Sequence, residues 1–321
     1  MKAIVLAGGY ATRLWPITKH RPKMFLPVGD RTVIDKTFEN LEEDDRVDEV
    51  FISTNERFAE SFETYIDEHD FEKLTLSVED SEAEGEKFGV VGALEQLVRR
   101  ENVDDDLFVV AGDNLIGFHL SEFLDFFDEK GNAVLAAYDV GSKEKAKSYG
   151  LVTLDGDTVV DFQEKPEEPN STLVSIACYC FPQESLPLLE TYLDDGENPD
   201  EPGWFIQWLQ QQETVSAFTF DDAWYDIGTA QSYLDAVAWA LDGGNVVHES
   251  ATVTDSELGS NVQIMAGATV ENSVIDESVV FPNVTITNAE IKRSIIDEET
   301  SIDNLDFAGA LIGAHTQIDG Q

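Results

Sequence analysis

The sequence predicts an α/β domain with a mostly parallel sheet, followed by a tail wound as a parallel β-helix. Uniformly apolar runs bounded by turn residues alternate with segments of helical spacing over residues 1–111. Beyond residue 246 helical spacing disappears, and small β-branched residues recur at steps of six. Asp242-Gly243-Gly244-Asn245 breaks the chain between these regimes and sets the expected domains at 1–242 and 246–321.

The opening run Ile4-Val5-Leu6-Ala7 is apolar throughout rather than alternating, as a strand buried on both faces requires. Gly8 and Gly9 follow at once, where the backbone can turn sharply and bring its N–H groups close to a ligand. A helix is expected over 33–41 and a second strand over 48–53, ending near Thr54-Asn55. Phe58, Phe62, Tyr65 and Ile66 share one side of a helix over 58–68, and 74–78 forms a third strand. Acids and small residues fill 79–87, after which Gly89-Val90-Val91-Gly92-Ala93-Leu94 opens another helix. The apolar strand 107–111 runs directly into Gly112-Asp113-Asn114. In parallel sheets ligands sit beyond the carboxyl ends of the strands, where Gly8, Asn55, Glu79 and Asp113 all fall.

The middle of the chain changes character. Strands are expected over 134–139, 150–154, 158–163 and 173–181, with Asp155-Gly156-Asp157 as a tight turn. A short helix over 204–212 and a strand over 216–220 precede Trp224-Tyr225-Asp226-Ile227-Gly228-Thr229 and a helix over 230–241. In the tail, Val247 and Val253, then Leu258, Ile264 and Val270, then Val274, Val280 and Ile286 stand six apart, as do Ile296 and Ile302, and Ile312 and Ile318. Irregular steps, of four or five residues between the first groups, separate them. A sandwich of short strands is the alternative, but tight-hairpin signals are few. A tail of this length makes about four turns.

Charge narrows the function. The chain holds 65 acidic and 20 basic residues, for a net charge of −45. Residues 1–31 nevertheless carry Lys2, Arg13, Lys19, Arg21, Lys23 and Arg31 against one acid, Asp30. So negative a protein repels a nucleoside triphosphate unless positive charge is concentrated where the phosphates sit, and this opening segment is that place. Binding to nucleic acid or to anionic membranes is not expected. A heavily carboxylated, lysine-poor surface suits a high-salt cytoplasm, which points to a halophilic source. Cys178 and Cys180 are two apart in one strand, cannot readily close a disulfide, and are expected as core residues in a reducing compartment. The apolar run 3–7 is too short for a secretion signal and no run is long enough to span a bilayer, so a cytoplasmic protein is expected.

LAGGYATRLWPIT over 6–18 and PKMFLPV over 22–28 resemble the N-terminal motif of the sugar-1-phosphate nucleotidylyltransferases, L-A-G-G-x-G-T-R-L-x-P-x-T followed by P-K-x-x-L-P-V. One position departs: Ala11 stands where the family has glycine. The resemblance implies a Rossmann-like domain of the nucleotide-diphospho-sugar transferase type with a left-handed β-helix tail, similar to that of the glucose-1-phosphate thymidylyltransferases. The reaction it implies is Mg²⁺-dependent transfer of a nucleotidyl group from a nucleoside triphosphate, dTTP or UTP, to a sugar 1-phosphate such as glucose 1-phosphate. An ionised sugar phosphate needs no general base, so catalysis is positioning and charge neutralisation.

By the same resemblance Leu6, Ala7, Gly8, Gly9, Gly89 and Gly112 line the nucleotide site, and Arg13 and Lys23 meet the triphosphate. Asp113 in G-D-N and Asp226 in W-x-D-x-G-T match the family's magnesium ligands. Tyr149, Gly150, Glu164 and Lys165, the last two in an E-K-P motif, match its sugar-phosphate site, the glutamate on sugar hydroxyls and the lysine on the phosphate. Glu79 stands where many members carry glutamine. An ionised carboxylate only accepts hydrogen bonds, so it could take the imide N–H of thymine or uracil, or the N1–H and N2–H₂ of guanine. Alternatives are therefore a mannose-1-phosphate guanylyltransferase and a catalytically silent regulatory subunit that binds sugar nucleotides. A nicotinamide-dependent oxidoreductase is set aside, because Gly8-Gly9-Tyr10-Ala11 is not G-x-G-x-x-G.

The five histidines lack metal-ligand spacing, and His315 has no acid or cofactor motif beside it in sequence, so a second transferase activity in the tail is not expected. Every candidate site residue precedes Gly243. The tail is accordingly expected to make a homo-oligomer rather than to serve chemistry, and its removal to leave some activity.

Overall fold

The computed structural model describes residues 1–79 and 89–320. Most of the acid-rich loop expected over 79–87 lies outside the described residues. Two compact units divide the chain: Met1–Gly9 with Thr37–Trp224, and Tyr10–Lys36 with the chain from Tyr225 onward. The compact units thus cut the chain at other points than the compositional break at 242–245.

Among the described residues, the first unit holds a nine-stranded sheet. Its strands are β1 (Lys2–Leu6), β2 (Glu49–Thr54), β3 (Leu74–Val78), β4 (Leu107–Ala111), β5 (Ala133–Asp139), β6 (Gly150–Asp155), β7 (Thr158–Glu164), β8 (Leu173–Phe181) and β9 (Val215–Phe220). They lie in the order β3-β2-β1-β4-β8-β5-β9-β7-β6. The first four are parallel, with Ile4 opposite Phe51 and Val109, so β1 is flanked on both edges and its uninterrupted apolar run follows from its central place. Strand β8 lies antiparallel to both β4 and β5, which sets the parallel β5–β9 pair apart from the first block. Cys178 and Cys180 are buried in β8 as free thiols.

Helices α1 (Asp35–Glu43), α2 (Glu56–Glu68) and α3 (Gly89–Arg100) follow the expected spacing. Helix α4 (Leu120–Lys130) was not anticipated; it buries Leu120, Phe123, Leu124 and Phe127 and stops at Gly131 in the left-handed conformation. Helix α5 (Pro187–Asp194) also comes from the structure alone. Helix α6 (Pro202–Leu209) starts two residues earlier than its pattern suggests, and α7 (Ala230–Leu241) has the expected span.

Among the described residues, the tail of the second unit is a parallel β-helix with three faces of five, five and four strands, between four and five turns against the expected four or so. Its register is seventeen residues in the first coil, where Val253 pairs with Val270, and sixteen thereafter: Val270 pairs with Ile286, Ile286 with Ile302, and Ile302 with Ile318. Inward positions follow a rhythm of six, five and five, as in Ile264, Val270, Ile275 and Val280. The six-residue steps Ile264–Val270, Val280–Ile286, Ile296–Ile302 and Ile312–Ile318 are one face of successive coils, and the shorter steps are the other two faces. One position is corrected: Ile275, not Val274, fills the core, as its burial shows. Left-handed backbone at Asn261, Asn272, Asn283, Asn288 and Asn304 turns the corners. Corner serines complete them: Ser273 Oγ accepts from Ala289 N–H at 3.1 Å, and Ser278 Oγ from Ser294 N–H at 3.1 Å.

Candidate active site

In the first unit the chain leaves β1 between two neighbours. Gly112 N–H donates to Leu6 C=O at 2.9 Å, and Ala7 N–H to Ser53 C=O at 2.7 Å. Asn55 Nδ2 holds Gly8 C=O at 2.8 Å. A Cβ on Gly8 would stand 2.7 Å from Glu79 Oε1, so the carboxylate lies against the bare backbone there, and Ser53 Oγ donates to it at 3.3 Å. Among the described residues, nothing stands within 4 Å of where a Cβ on Gly9 would be. Gly89 has φ +71° and starts α3 against the Pro199 carbonyl, which a Cβ would strike at 2.2 Å. Its glycine requirement is thus explained by packing.

Asp113 sits half-buried in the turn after β4. Its neighbour Asn114 is buried and accepts from Trp224 Nε1 at 3.3 Å, and the Trp224 ring meets Tyr149 edge-on at 5.1 Å. The G-D-N and Tyr149-Gly150 motifs are therefore joined through Trp224.

The Glu164–Lys165 pocket is built around a buried carboxylate. Glu164 ends β7 with a side chain 5% exposed. A Cβ on Gly150 would come within 2.9 Å of Glu164 Oε2 and 2.3 Å of Phe162 Cζ, and one on Gly203 within 1.7 Å of Glu164 Oε2. Only glycine at both positions leaves the carboxylate its room. Glu164 N–H is held by Gln207 Oε1 at 2.9 Å. Burial pushes the Glu164 carboxyl up to about 7; Lys165 opposes the shift and Glu201 adds to it. Lys165 takes a left-handed backbone, φ 44°, with its N–H on Tyr149 C=O at 3.2 Å. Its ammonium is 3.9 Å from Glu164 Oε1 and ion-paired with Glu201. Glu201, Gly203 and Gln207 were missed in sequence. Pro202-Gly203 at the start of a helix was the one available signal, since glycine is a poor helix former unless space demands it.

In the second unit Thr12–Leu14 form a single 3₁₀ turn anchored by buried Leu14. Ala11, the motif's departure, is itself in the left-handed conformation (φ 48°, ψ 44°) that glycine adopts without cost. Its carbonyl accepts from Leu14 N–H at 3.0 Å and Thr18 Oγ1 at 2.9 Å. Exposed Arg13 and half-buried Asp226 flank Gly228: a Cβ there would lie 3.2 Å from Arg13 Nη2 and 3.4 Å from Asp226 Oδ1. Thr229, not Asp226, caps α7, through a reciprocal pair with Ser232. Lys23 is half-buried and opens the 3₁₀ turn Lys23–Phe25, with Met24 buried beneath it.

Among the described residues, no three His, Cys, Asp or Glu side chains form a metal-binding group. Mg²⁺ does not require one, because it is held by one or two carboxylates together with waters and substrate phosphates. Asp113 and Asp226 have the right donor chemistry. In the tail His315 does find an acid, Glu299 one coil away at 3.0 Å, but both are exposed at a corner. No helix among the described residues is long and apolar enough to cross a membrane.

Residues 2–243 match the family model described as nucleotidyl transferase, and 235–321 match that described as a GlmU-like C-terminal hexapeptide. The β-helix is accordingly of the left-handed hexapeptide type. A Sulfolobus acidocaldarius protein assigned as a mannose-1-phosphate guanyltransferase is 30% identical over 288 residues, covering 86% of this chain and 76% of its own. The bifunctional protein GlmU of Methanocaldococcus jannaschii is 28% identical over 86% of this chain, which spans 61% of that protein's length. A UTP–glucose-1-phosphate uridylyltransferase of Synechocystis is 29% identical over 75% of this chain and 63% of its own. In fold, the chain resembles a Bacillus anthracis protein assigned as a glucose-1-phosphate thymidylyltransferase, with a TM-score of 0.65 at 23% identity over 75% of this chain and 95% of that one.

Proposed function

Because the chain belongs to the nucleotidyl transferase family, we propose that it is a sugar-1-phosphate nucleotidylyltransferase that makes an NDP-sugar and pyrophosphate. The observation that carries this reading is the Glu164 carboxylate, buried between Gly150 and Gly203 with the Lys165 ammonium beside it. A desolvated acceptor next to a cation suits a molecule that presents both hydroxyls and a phosphate.

In this reading Glu164 accepts from sugar hydroxyls, and Lys165 pairs with the sugar phosphate. A phosphate oxygen attacks the α-phosphorus, and the bond to the β-phosphate bridge breaks with its electron pair leaving on pyrophosphate. Arg13 and Lys23 bind the triphosphate and draw off the charge that develops on the leaving group. Asp113 and Asp226 are the carboxylates we assign to Mg²⁺, which when bound neutralises phosphate charge. Leu6, Ala7, Gly8, Gly9 and Gly112 cradle the nucleotide, with Gly89 at the mouth of its helix. Residues 1–242 are the proposed catalytic domain and 246–321 an assembly domain of a cytoplasmic homo-oligomer.

Glu79 accepts from the base. Thymine or uracil with glucose 1-phosphate is the first substrate reading. Guanine with mannose 1-phosphate is the second, supported by the guanyltransferase relative at 30% identity and by the paired donors of guanine, which a carboxylate can accept together. The test is pyrophosphate release with Mg²⁺ in molar salt, offering ATP, CTP, GTP, UTP and dTTP against several sugar 1-phosphates. Turnover with one pair is expected, and Asp113→Asn should abolish it.

A further inference from the structure

The segment over 10–36 carries Arg13 and Lys23, yet its regular structure is limited to two 3₁₀ turns, a two-residue hairpin pair and the first two residues of α1. Such a length of irregular chain does not hold a conformation unaided. Within the second unit, the tail supplies side chains that hold it from outside. Gln263, 2% exposed on the first face of the β-helix, clamps Gly29 from both sides: its Oε1 accepts Gly29 N–H and its Nε2 donates to Gly29 C=O, each at 3.0 Å. Arg21 donates to Asp297 Oδ1 at 2.8 Å and Glu298 Oε1 at 3.0 Å, and its guanidinium lies 4.7 Å from the Phe281 ring centre. Asp297 is 4% exposed, so this ion pair is sheltered from the solvent that weakens surface pairs. Helix α7 adds Tyr233, fully buried, whose hydroxyl donates to Pro27 C=O at 2.6 Å. Gly313 lies so near Pro16 that a Cβ would stand 2.9 Å from its ring. These contacts fall on both sides of Lys23.

We infer that the β-helix is a positioning element for the triphosphate-binding residues: Gln263 and Asp297 hold the segment 10–36, and with it Arg13 and Lys23, in the working conformation. This rests on the assignment of Arg13 and Lys23 to the triphosphate. The polar character of Gln263 supports it. A glutamine at an almost fully buried strand position contributes nothing to an apolar coil, and both its amide groups are spent on the loop. The tail is then part of the nucleotide site although it supplies no group that touches substrate, and its removal costs nucleotide use even where the remainder folds. That outcome runs against the activity expected of a truncated chain from the order of the motifs alone.

The test uses the full-length protein and the variants Gln263→Leu, Asp297→Asn, Arg13→Ala and Ile302→Ala, all in molar salt. Ile302 is buried in the tail core and serves as a control for general loosening of the coil. A small loop displacement is enough to cost on the order of tenfold or more. Gln263→Leu and Asp297→Asn should each lower kcat/KM for the nucleotide about tenfold, while leaving KM for the sugar 1-phosphate and the oligomer unchanged. Hydrogen exchange should quicken in peptides from 10–36 in both variants, a readout independent of activity, but not in those from 270–318. Ile302→Ala should lower Tm without a selective effect on the nucleotide. If Arg13→Ala damages nucleotide use while Gln263→Leu and Asp297→Asn do not, the inference fails and the site assignment survives. If Arg13→Ala leaves nucleotide use untouched, the site assignment fails and takes the inference with it.

Discussion

Glu164 is the residue whose chemistry is most open to measurement. Its folded carboxyl titrates near 7 against an ordinary 4.5, burial being the main cause. Unfolded chain therefore loses this proton first as pH rises, and the folded state is the one that retains it. The stability the neutral acid contributes is complete below about 4.5 and is lost as pH climbs through about 7. Glu201 raises the value and Lys165 lowers it. Glu201→Gln should accordingly move the corresponding inflection in KM for the sugar 1-phosphate to lower pH, and Lys165→Ala should move it upward and raise KM severalfold or more. Profiles of both variants superimposable on the parent would remove Glu164 from the sugar site. The identities of Glu164 and Lys165 were legible in sequence, because the E-K-P motif is local. Glu201 and Gln207 were not, since their meeting with that motif is made by tertiary folding over 36 and 43 residues of separation.

At the scale of elements, the loop after β1 keeps its glycine-type conformation although residue 11 is alanine. Ala11 at φ 48° sits where an L-residue with a Cβ is disfavoured by about 1–2 kcal/mol. Ala11→Gly relieves that conflict but frees the unfolded chain, so a net gain of under ~1 kcal/mol is expected, seen as a Tm rise with unchanged or improved nucleotide KM. A fall in Tm would mean that the alanine methyl group is packed usefully. Elsewhere the strands were well marked by apolar runs, whereas α4 and α5 were marked at one end only. Helix α4 starts after His119, which is not a customary start signal, and is marked only by Gly131 at its end; α5 is marked by Pro187 at its first position but has no capping side chain before it. The tail shows a subtler gap between pattern and fold. Its sixteen-residue coil shortens two of three faces, so a reading by sixes finds the long face and loses the phase on the others. Only register distinguishes Ile275 from Val274.

For the whole molecule the dominant fact is the charge of −45. Some of it is already answered within the fold: Asp297 meets Arg21, Glu277 meets Arg293, and Glu290 meets Lys292. Glu271, Glu298 and Glu299 are among the acids that remain on the tail's outer surface, though Glu298 and Glu299 have partners. We propose that subunits pack side by side through these faces and that molar salt screens the repulsion between them. Light scattering should then find an oligomer in high salt that dissociates on dilution of the salt. A monomer at every salt concentration would count against assembly through the tail. The motifs announced a phosphate-binding N-terminus plainly, but the grouping of that segment with the tail was invisible, because it depends on Gln263 and Asp297 meeting residues more than two hundred positions away.

Nucleotidyl transfer to a sugar 1-phosphate can be followed directly in one assay. The full-length protein in molar salt with Mg²⁺ is given each nucleoside triphosphate together with glucose 1-phosphate or mannose 1-phosphate, and products are followed by phosphorus NMR. Pyrophosphate and NDP-sugar should appear in equal amounts for at least one pair. Mg²⁺ removal or Asp113→Asn should end the reaction. Nucleotide and sugar phosphate bound by the folded protein, with no pyrophosphate formed from any pair, would contradict nucleotidyl transfer and leave a silent sugar-nucleotide-binding subunit as the better description.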